Sequence, residues 1–285
     1  MKKLKNIVLS TTLITTLIAS PTYAAAPTKP EKGKLSVYFL DVGQGDATYI
    51  KTPYGDDILI DGGNNSYGDD VVADLKKLGV DDIEVMISTH PDADHVGGLD
   101  TVLAAFKVEA VYAPKVSHTT QTFKDFLTAV KNEKLTIKEA KAGLKLPLKG
   151  ITATFVGPTK AYAKSDLNDW SAVLRVVNDK NSFLFTGDAE KKSESDMIAS
   201  KVTLKADVLK VGHHGSDTSS SAPFVKAVEP KYAVISVGAK NSYGHPTQTT
   251  LNTLKAAKAT IYRTDNSGTI TFVSDGTKIT IKTEK

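Results

Sequence analysis

The stretch His90-Pro91-Asp92-Ala93-Asp94-His95 places four potential metal ligands within six residues. Carboxylates crowded this closely repel one another, so such a loop is costly unless a cation organises it. A solvated acidic turn would account for one such residue pair, but not for the whole set at the end of an apolar run. Gly97-Gly98 follow and let the backbone turn tightly beside the site. Two later stretches share the design. Phe183-Leu184-Phe185-Thr186-Gly187-Asp188 is an apolar run ending in an aspartate whose two oxygens could bridge two cations. Val208-Leu209-Lys210-Val211-Gly212 leads into His213-His214. The chain has no cysteine, which removes disulfides, thiolate nucleophiles and thiolate-held zinc. Any metal must be held by imidazole and carboxylate. No Gly-x-Ser-x-Gly elbow is present either, so a nucleophilic serine of that type is not expected. The chemistry that fits is metal-assisted hydrolysis, in which a bound cation lowers the pKa of water from about 15.7 toward roughly 7.

The surrounding elements are those of an α/β chain. Leu35–Leu40, Ala47–Lys51 and Asp57–Ile60 read as strands, the last two forming a hairpin around Pro53-Tyr54-Gly55-Asp56. Asp70–Leu78 carries an apolar stripe that stops at Gly79 and predicts a helix. Ile83–Ser88 is a short apolar strand that delivers His90 at its C-terminal end, and Leu99–Leu103 opens a helix. In the second half, Ser171–Val177, Ser182–Thr186, Asp207–Val211 and Tyr232–Val237 read as strands and Ser193–Ala199 as a helix. Ser221-Ala222-Pro223 is a helix start, with serine as cap and proline in the first turn. Gln248–Ala257 predicts a helix, with Pro246 at its first position and His245 at its N-terminus, an end that attracts anions. Ala259–Arg263, Thr269–Val273 and Lys278–Lys282 close the fold as strands. Polar residues thus fall at strand C-termini, where α/β layers commonly build their sites.

The chain is 285 residues long, 40% hydrophobic and 24% charged, a globular composition long enough for one sizeable domain. Its N-terminus reads as a secretory signal peptide over residues 1–24: lysines at 2, 3 and 5, an apolar run over Ile7–Ala19, then small residues. That run is shorter than the roughly 20 residues needed to span a bilayer, so stable membrane insertion is not expected after cleavage. Residues 25–33 read as a linker, leaving 34–285 as the folded domain and a secreted or cell-wall-associated product. Loss of the three lysines takes the formal charge from +4 to +1. Arg175 and Arg263 are the sole arginines, so charge gives little support to a strong nucleic-acid surface.

The motifs in combination resemble the metallo-β-lactamase fold superfamily. More narrowly, they resemble the soluble hydrolase domain of late-competence DNA-uptake proteins (ComEC type). The marks are Phe39-Leu40-Asp41-Val42-Gly43-Gln44-Gly45-Asp46, Ile60-Asp61-Gly62-Gly63, Thr89 through Gly98, Thr186-Gly187-Asp188 and Lys210 through Ser216. Secreted choline-phosphate esterases of teichoic acid share them. The resemblance covers roughly Leu35 to Lys282. It implies a single-domain αβ/βα four-layer sandwich with a two-metal site at one edge of its sheets. His90, Asp92 and Asp188 would hold one cation, and Asp94, His95, Asp188 and His214 the other. Asp61 would support the loop by hydrogen bonds. The residues alone leave open which of His213 and His214 is the ligand; the resemblance places it at His214. His213 would then face the substrate as phosphate donor or general acid, with His245 a second candidate. The pattern departs from the superfamily's His-x-His-x-Asp-His at Asp92. Asn168-Asp169-Trp170-Ser171 stands where a further histidine is usual. Oxygen replaces imidazole there, which favours Mn²⁺ or Mg²⁺ relative to Zn²⁺. Two divalent ions, Zn²⁺ or Mn²⁺, are the expected cofactors. The expected activity is phosphodiester hydrolysis, on DNA or on cell-wall teichoic acid. The competing readings are a choline-phosphate esterase, a lactone or β-lactam hydrolase, and a non-catalytic metal-dependent binding module.

Overall fold

The computed structural model describes Met1 and residues 28–285. The expected signal peptide lies outside the described residues beyond Met1, and so does the start of the expected linker. Of residues 28–33, the Thr28 carbonyl accepts from the Tyr38 hydroxyl at 2.8 Å, and Glu31 pairs with Lys34 and Lys282.

The chain begins with β1 (Leu35–Phe39), β2 (Thr48–Lys51), β3 (Asp57–Ile60) and helix α1 (Gly68–Leu78). Next come β4 (Asp82–Ile83), β5 (Val85–Ile87), α2 (Ala93–Val96), α3 (Leu99–Ala105), β6 (Lys107–Val108), β7 (Val111–Ala113), α4 (Gln121–Asn132) and β8 (Ile137–Glu139). The second half runs β9 (Thr152–Gly157), β10 (Val173–Asn178), β11 (Asn181–Phe185), α5 (Lys191–Ala199), β12 (Val208–Lys210), α6 (Ala222–Val228) and β13 (Tyr232–Ile235). It ends with α7 (Gln248–Ala256), β14 (Thr260–Arg263), α8 (Thr264–Ser267), β15 (Ile270–Ser274) and β16 (Ile279–Thr283).

Two mixed sheets result. One has eight strands in the order β16-β15-β1-β2-β3-β5-β7-β8, the other six in the order β14-β13-β12-β11-β10-β9. The period-two alternation of β1 shows how they pack. Leu35, Val37 and Phe39 face a core shared with Phe155, Leu174, Phe183 and Phe185 of the second sheet. Tyr38 and Leu40 face away, into a core with Val71 and Leu75 of α1, Val102 of α3 and Phe126 of α4. Behind the second sheet, Leu184, Leu209 and Ala233 pack on Met197 of α5, Phe224 of α6 and Leu254 of α7. The layers are therefore helices, sheet, sheet, helices, the single-domain metallo-β-lactamase arrangement. Among the described residues no helix is long and apolar enough to cross a membrane.

Strands β3, β5 and β7 run parallel in the first sheet, and β11, β12, β13 and β14 in the second. Their crossovers put helices on the outer faces and leave the C-terminal strand ends free to build a site. Three local expectations need correction. The strand expected over Ile83–Ser88 breaks at Glu84, with β4 joining β6 in a separate small sheet and β5 lying between β3 and β7. Ser221 occupies the N-cap of α6, but its hydroxyl makes no cap; the Glu194 carboxylate accepts from the Ser220 and Ser221 amides instead. Helix α7 starts at Gln248 with Thr247 as its cap, so Pro246 precedes the first turn and His245 is not the helix terminus.

Candidate metal centre

Each histidine near the strand ends has one nitrogen committed to the protein. Asp61, directly after β3, is 1% exposed. Its carboxylate accepts from the Thr89 amide at 2.8 Å, the Thr89 hydroxyl at 2.6 Å and His95 Nδ1 at 2.9 Å. Thr89 has thus given its proton to Asp61, so its oxygen accepts from His90 Nδ1 at 3.1 Å. His214 Nδ1 donates to the Ser236 carbonyl at 3.0 Å. These bonds occupy the Nδ1 side of all three rings and turn each Nε2 away from the protein scaffold.

The Nε2 atoms converge on carboxylates from both sheets. His95 Nε2 lies 3.2 Å from Asp188 Oδ1 and 3.8 Å from Asp94 Oδ2. His214 Nε2 lies 3.0 Å from Asp94 Oδ2 and 3.5 Å from Asp188 Oδ2. Asp94, His95, Asp188 and His214 each offer one ligand atom within 4.8 Å of the others. His90 Nε2 sits 3.5 Å from Asp92 Oδ2, and the His90 and His95 rings are 4.2 Å apart. With Asp188, these two do not close into an equally tight group among the described residues. Of the histidine pair, His214 joins the buried cluster, whereas His213 stands at its rim. The backbone that presents them is strained, since His213 and His214 both have positive φ, 49° and 52°. Such conformations persist where surrounding structure enforces them, often at functional sites.

The donor set fits a divalent cation. His90 Nε2, His95 Nε2 and Asp188 Oδ1 are buried and make no hydrogen bond. Each such group costs about 1–3 kcal/mol unless something compensates it. Two imidazoles and two carboxylates, with a further His and Asp alongside, are the compensating set for cations that accept nitrogen and oxygen. The electrostatics agree. Burial alone would raise Asp188, but the His95, His214 and His90 rings hold it well below the ordinary carboxylate range. Burial would lower His214, yet Asp188, Asp46 and Asp94 push it up to about 10. His95 is likewise raised, against its burial, by Asp188, Asp94 and Asp61. The cluster is therefore built to attract positive charge, which protons or a metal can supply.

Two buried residues whose part sequence reasoning missed stand behind the centre. Lys210 Nζ, 2.7 Å from Asp46 Oδ2, forms an ion pair buried on both sides. Asp46 Oδ1 lies 3.3 Å from His214 Nδ1, and the Asp46 amide donates to the Asp94 carbonyl at 3.0 Å. Asp46, Asp61 and His95 also lie close together, but Lys210 already balances that set. The residues were visible in Gly45-Asp46 and Leu209-Lys210. Their pairing joins two sheets, so no local spacing announces it. Glu190 was missed as well: it lies 3.2 Å from His213 Nδ1 and accepts from Thr218 at 2.9 Å and Asn168 at 3.2 Å. Ser171 accepts from the Asp188 amide at 3.1 Å.

A polar cavity of about 180 Å³ opens over these groups, lined by Gln44, Asp92, Asp94, Asp188, His213, His214, Tyr243 and His245. His245 reaches it from the loop before α7, with its ring 5.6 Å from that of His213. A model of the metallo-β-lactamase superfamily matches residues 40–239. The chain belongs to the metallo-β-lactamase superfamily. It is 33% identical over 253 residues to ComE operon protein 3 of Bacillus subtilis (strain 168), a match covering 83% of this chain and 32% of that protein. It is 31% identical over 248 residues to competence protein ComA of Neisseria gonorrhoeae, covering 86% and 33%. The chain thus spans about a third of the length of these relatives. Among solved structures, the metallo-β-lactamase fold protein YhfI from Bacillus subtilis superposes with a TM-score of 0.56 at 11% identity, covering 85% of this chain and 100% of that one. This metallo-β-lactamase superfamily chain therefore carries the superfamily's hydrolase fold together with residues able to hold divalent metal.

Proposed function

We propose that the protein is an exported, metal-dependent phosphodiesterase acting on nucleic acid. The observation that carries the reading is the convergence of three Nε2 atoms and Asp188 beneath a polar cavity rimmed by two further histidines. Asp94, His95, Asp188 and His214 would hold one cation, and His90, Asp92 and Asp188 a second, with Asp188 shared. When bound, such cations supply Lewis acidity and make water nucleophilic at neutral pH. The chain's own groups do the rest. Glu190 and Thr218 engage His213 Nδ1 at 3.2 and 3.1 Å, leaving His213 Nε2 facing Asp188. Burial lowers His213, but the Glu190 hydrogen bond and Asp188 outweigh it and raise its pKa. A protonated His213 can donate to a phosphoryl oxygen and deliver a proton to the leaving oxygen. His245 adds a second imidazole on the same wall. Asp61 and Asp46 keep the ligand rings in place through their Nδ1 sides.

Phosphorus is favoured over a carbonyl substrate by the oxygen-rich donor set, which suits hard cations and hard phosphoryl oxygens. The likeness to competence proteins directs the reading toward DNA rather than teichoic acid. The basic, then apolar, N-terminal segment supports export. The test is hydrolysis of bis(p-nitrophenyl) phosphate after chelation and reloading with Mn²⁺ or Zn²⁺. Turnover should appear only with metal. A protein that opens a lactone under those conditions, while leaving every phosphodiester intact, would overturn the assignment.

A further inference from the structure

We infer that Tyr243 is a stacking shelf for the nucleobase next to the scissile phosphate, a deepening that rests on the phosphodiesterase reading. Among the described residues, few large apolar side chains are left bare. Tyr243 is 69% exposed, and among the described residues it alone of the exposed large hydrophobic side chains lines the metal-centre cavity. One face of its ring lies against His245, with centroids 5.7 Å apart and planes inclined by 25°. The exposure leaves the other side of the ring to solvent. An exposed aromatic face beside a phosphate-sized polar cavity presents the surface on which a base stacks, whatever its identity.

The shelf is rigidly mounted. Asn241 pins its loop from within: its side-chain oxygen accepts from the Tyr243 amide at 3.2 Å and the His245 amide at 3.0 Å. Its side-chain nitrogen donates to the Gly238 carbonyl at 3.0 Å and the His245 carbonyl at 2.7 Å. At one end, Gln44 accepts from the Gly238 amide at 3.1 Å. Gly238 is needed there, because a Cβ would come within 2.8 Å of the Gln44 nitrogen. At the other end, the Thr247 amide donates to the Gly215 carbonyl at 2.9 Å, next to His214. A loop held this way need not be ordered when a ligand stacks on the ring it carries. A single tyrosine is not the multi-ring cage that recognises quaternary ammonium groups, so the geometry favours a flat base over choline.

The test compares a six-residue single-stranded oligothymidylate with an abasic phosphodiester of equal length, both cut by the Mn²⁺-loaded protein. The wild type should show a KM about tenfold lower for the thymidylate, the size of one base stack. Tyr243→Ala should collapse that preference toward one, and Tyr243→Phe should keep it. Equal KM values in the wild type, or a preference that survives Tyr243→Ala, would overturn the shelf. So would a larger effect of Tyr243→Ala on p-nitrophenyl phosphorylcholine than on thymidylate. If neither oligomer nor bis(p-nitrophenyl) phosphate is cut, the phosphodiesterase reading fails by itself. Anisotropy of the labelled oligomers then still decides the shelf, because the same preference should appear in binding.

Discussion

Strand β3 begins at one buried aspartate and runs out into another, and their neighbourhoods differ in kind. Asp57 and Asp61 are each 1% exposed. Asp57 ends its contacts locally, on the Tyr49 hydroxyl and on Lys51, with Glu84 accepting from its amide. Asp61 binds Thr89 and His95, and through them sets which ring nitrogens face the cavity. Both ends even carry a group of acidic or imidazole residues close enough to hold an ion. The difference lies in what remains unpaired. His90, His95 and Asp188 each keep a buried polar atom without a hydrogen bond, whereas Asp57 has none among its side-chain oxygens. At the two ends of β3, then, burial and residue type are alike, and unspent hydrogen-bonding capacity is what differs.

The contrast breaks most visibly at Asp188. In the proposed site Asp188→Ala removes the shared carboxylate and the partner of three histidines. Turnover should fall by about a thousandfold or more, a loss of several kcal/mol of transition-state stabilisation. Metal content by elemental analysis should drop by one or both ions, while circular dichroism stays that of the wild type. Wild-type turnover in this variant would show that the convergence is not a catalytic centre.

Asp61→Ala should have a smaller effect, because Asp61 acts through His95 and Thr89. Loss of the carboxylate frees both rings to rotate or change tautomer. Metal affinity should fall by about 10- to 100-fold, as for other partners of ligating histidines, measured by competition with a chromophoric chelator. Unchanged affinity would reduce Asp61 to the same structural part as Asp57. How far these roles could be read from sequence follows the same division. His90, Asp92, Asp94, His95 and Asp188 stand in compact motifs at the ends of apolar runs, where local spacing carries the signal. The strands from Leu35 to Ile60, and those leading to Asp188 and His214, were legible because their alternation or apolarity is strong. Across residues 107–157 the signal is weaker or carries no motif. Strand β8 exposes two of its three residues and reads as polar chain. Helix α4 has a clear stripe at Phe123, Phe126 and Val130 but no chemical motif to draw attention to it. Asp46 and Lys210 meet across 164 positions, and such a pairing is a property of the folded layers.

The smallest effect on the site, and the sharpest test of the contrast, belongs to Asp57. Burial raises its pKa to about 6 despite Lys51 and Tyr49, with Glu84 adding to the rise. An unfolded aspartate titrates near 3.9. Between those values the folded state binds the proton more tightly than the unfolded chain. Asp57 thus contributes stability that is fully present below the unfolded pKa and is lost as pH rises through the folded one. The loss amounts to about 2 kcal/mol between roughly pH 4.5 and pH 7. Urea melts of metal-free protein across that range should show this decline in the wild type, superimposed on the other groups. In Asp57→Asn, which cannot ionise at this position, the slope should flatten by that amount. Metal stoichiometry and turnover of the reloaded variant should remain those of the wild type. A variant that kept the slope but lost metal would reverse the assignment of the two ends of the strand. The ion pair at Asp57 would then have to communicate with the centre at Asp61 through Ile58, Leu59 and Ile60.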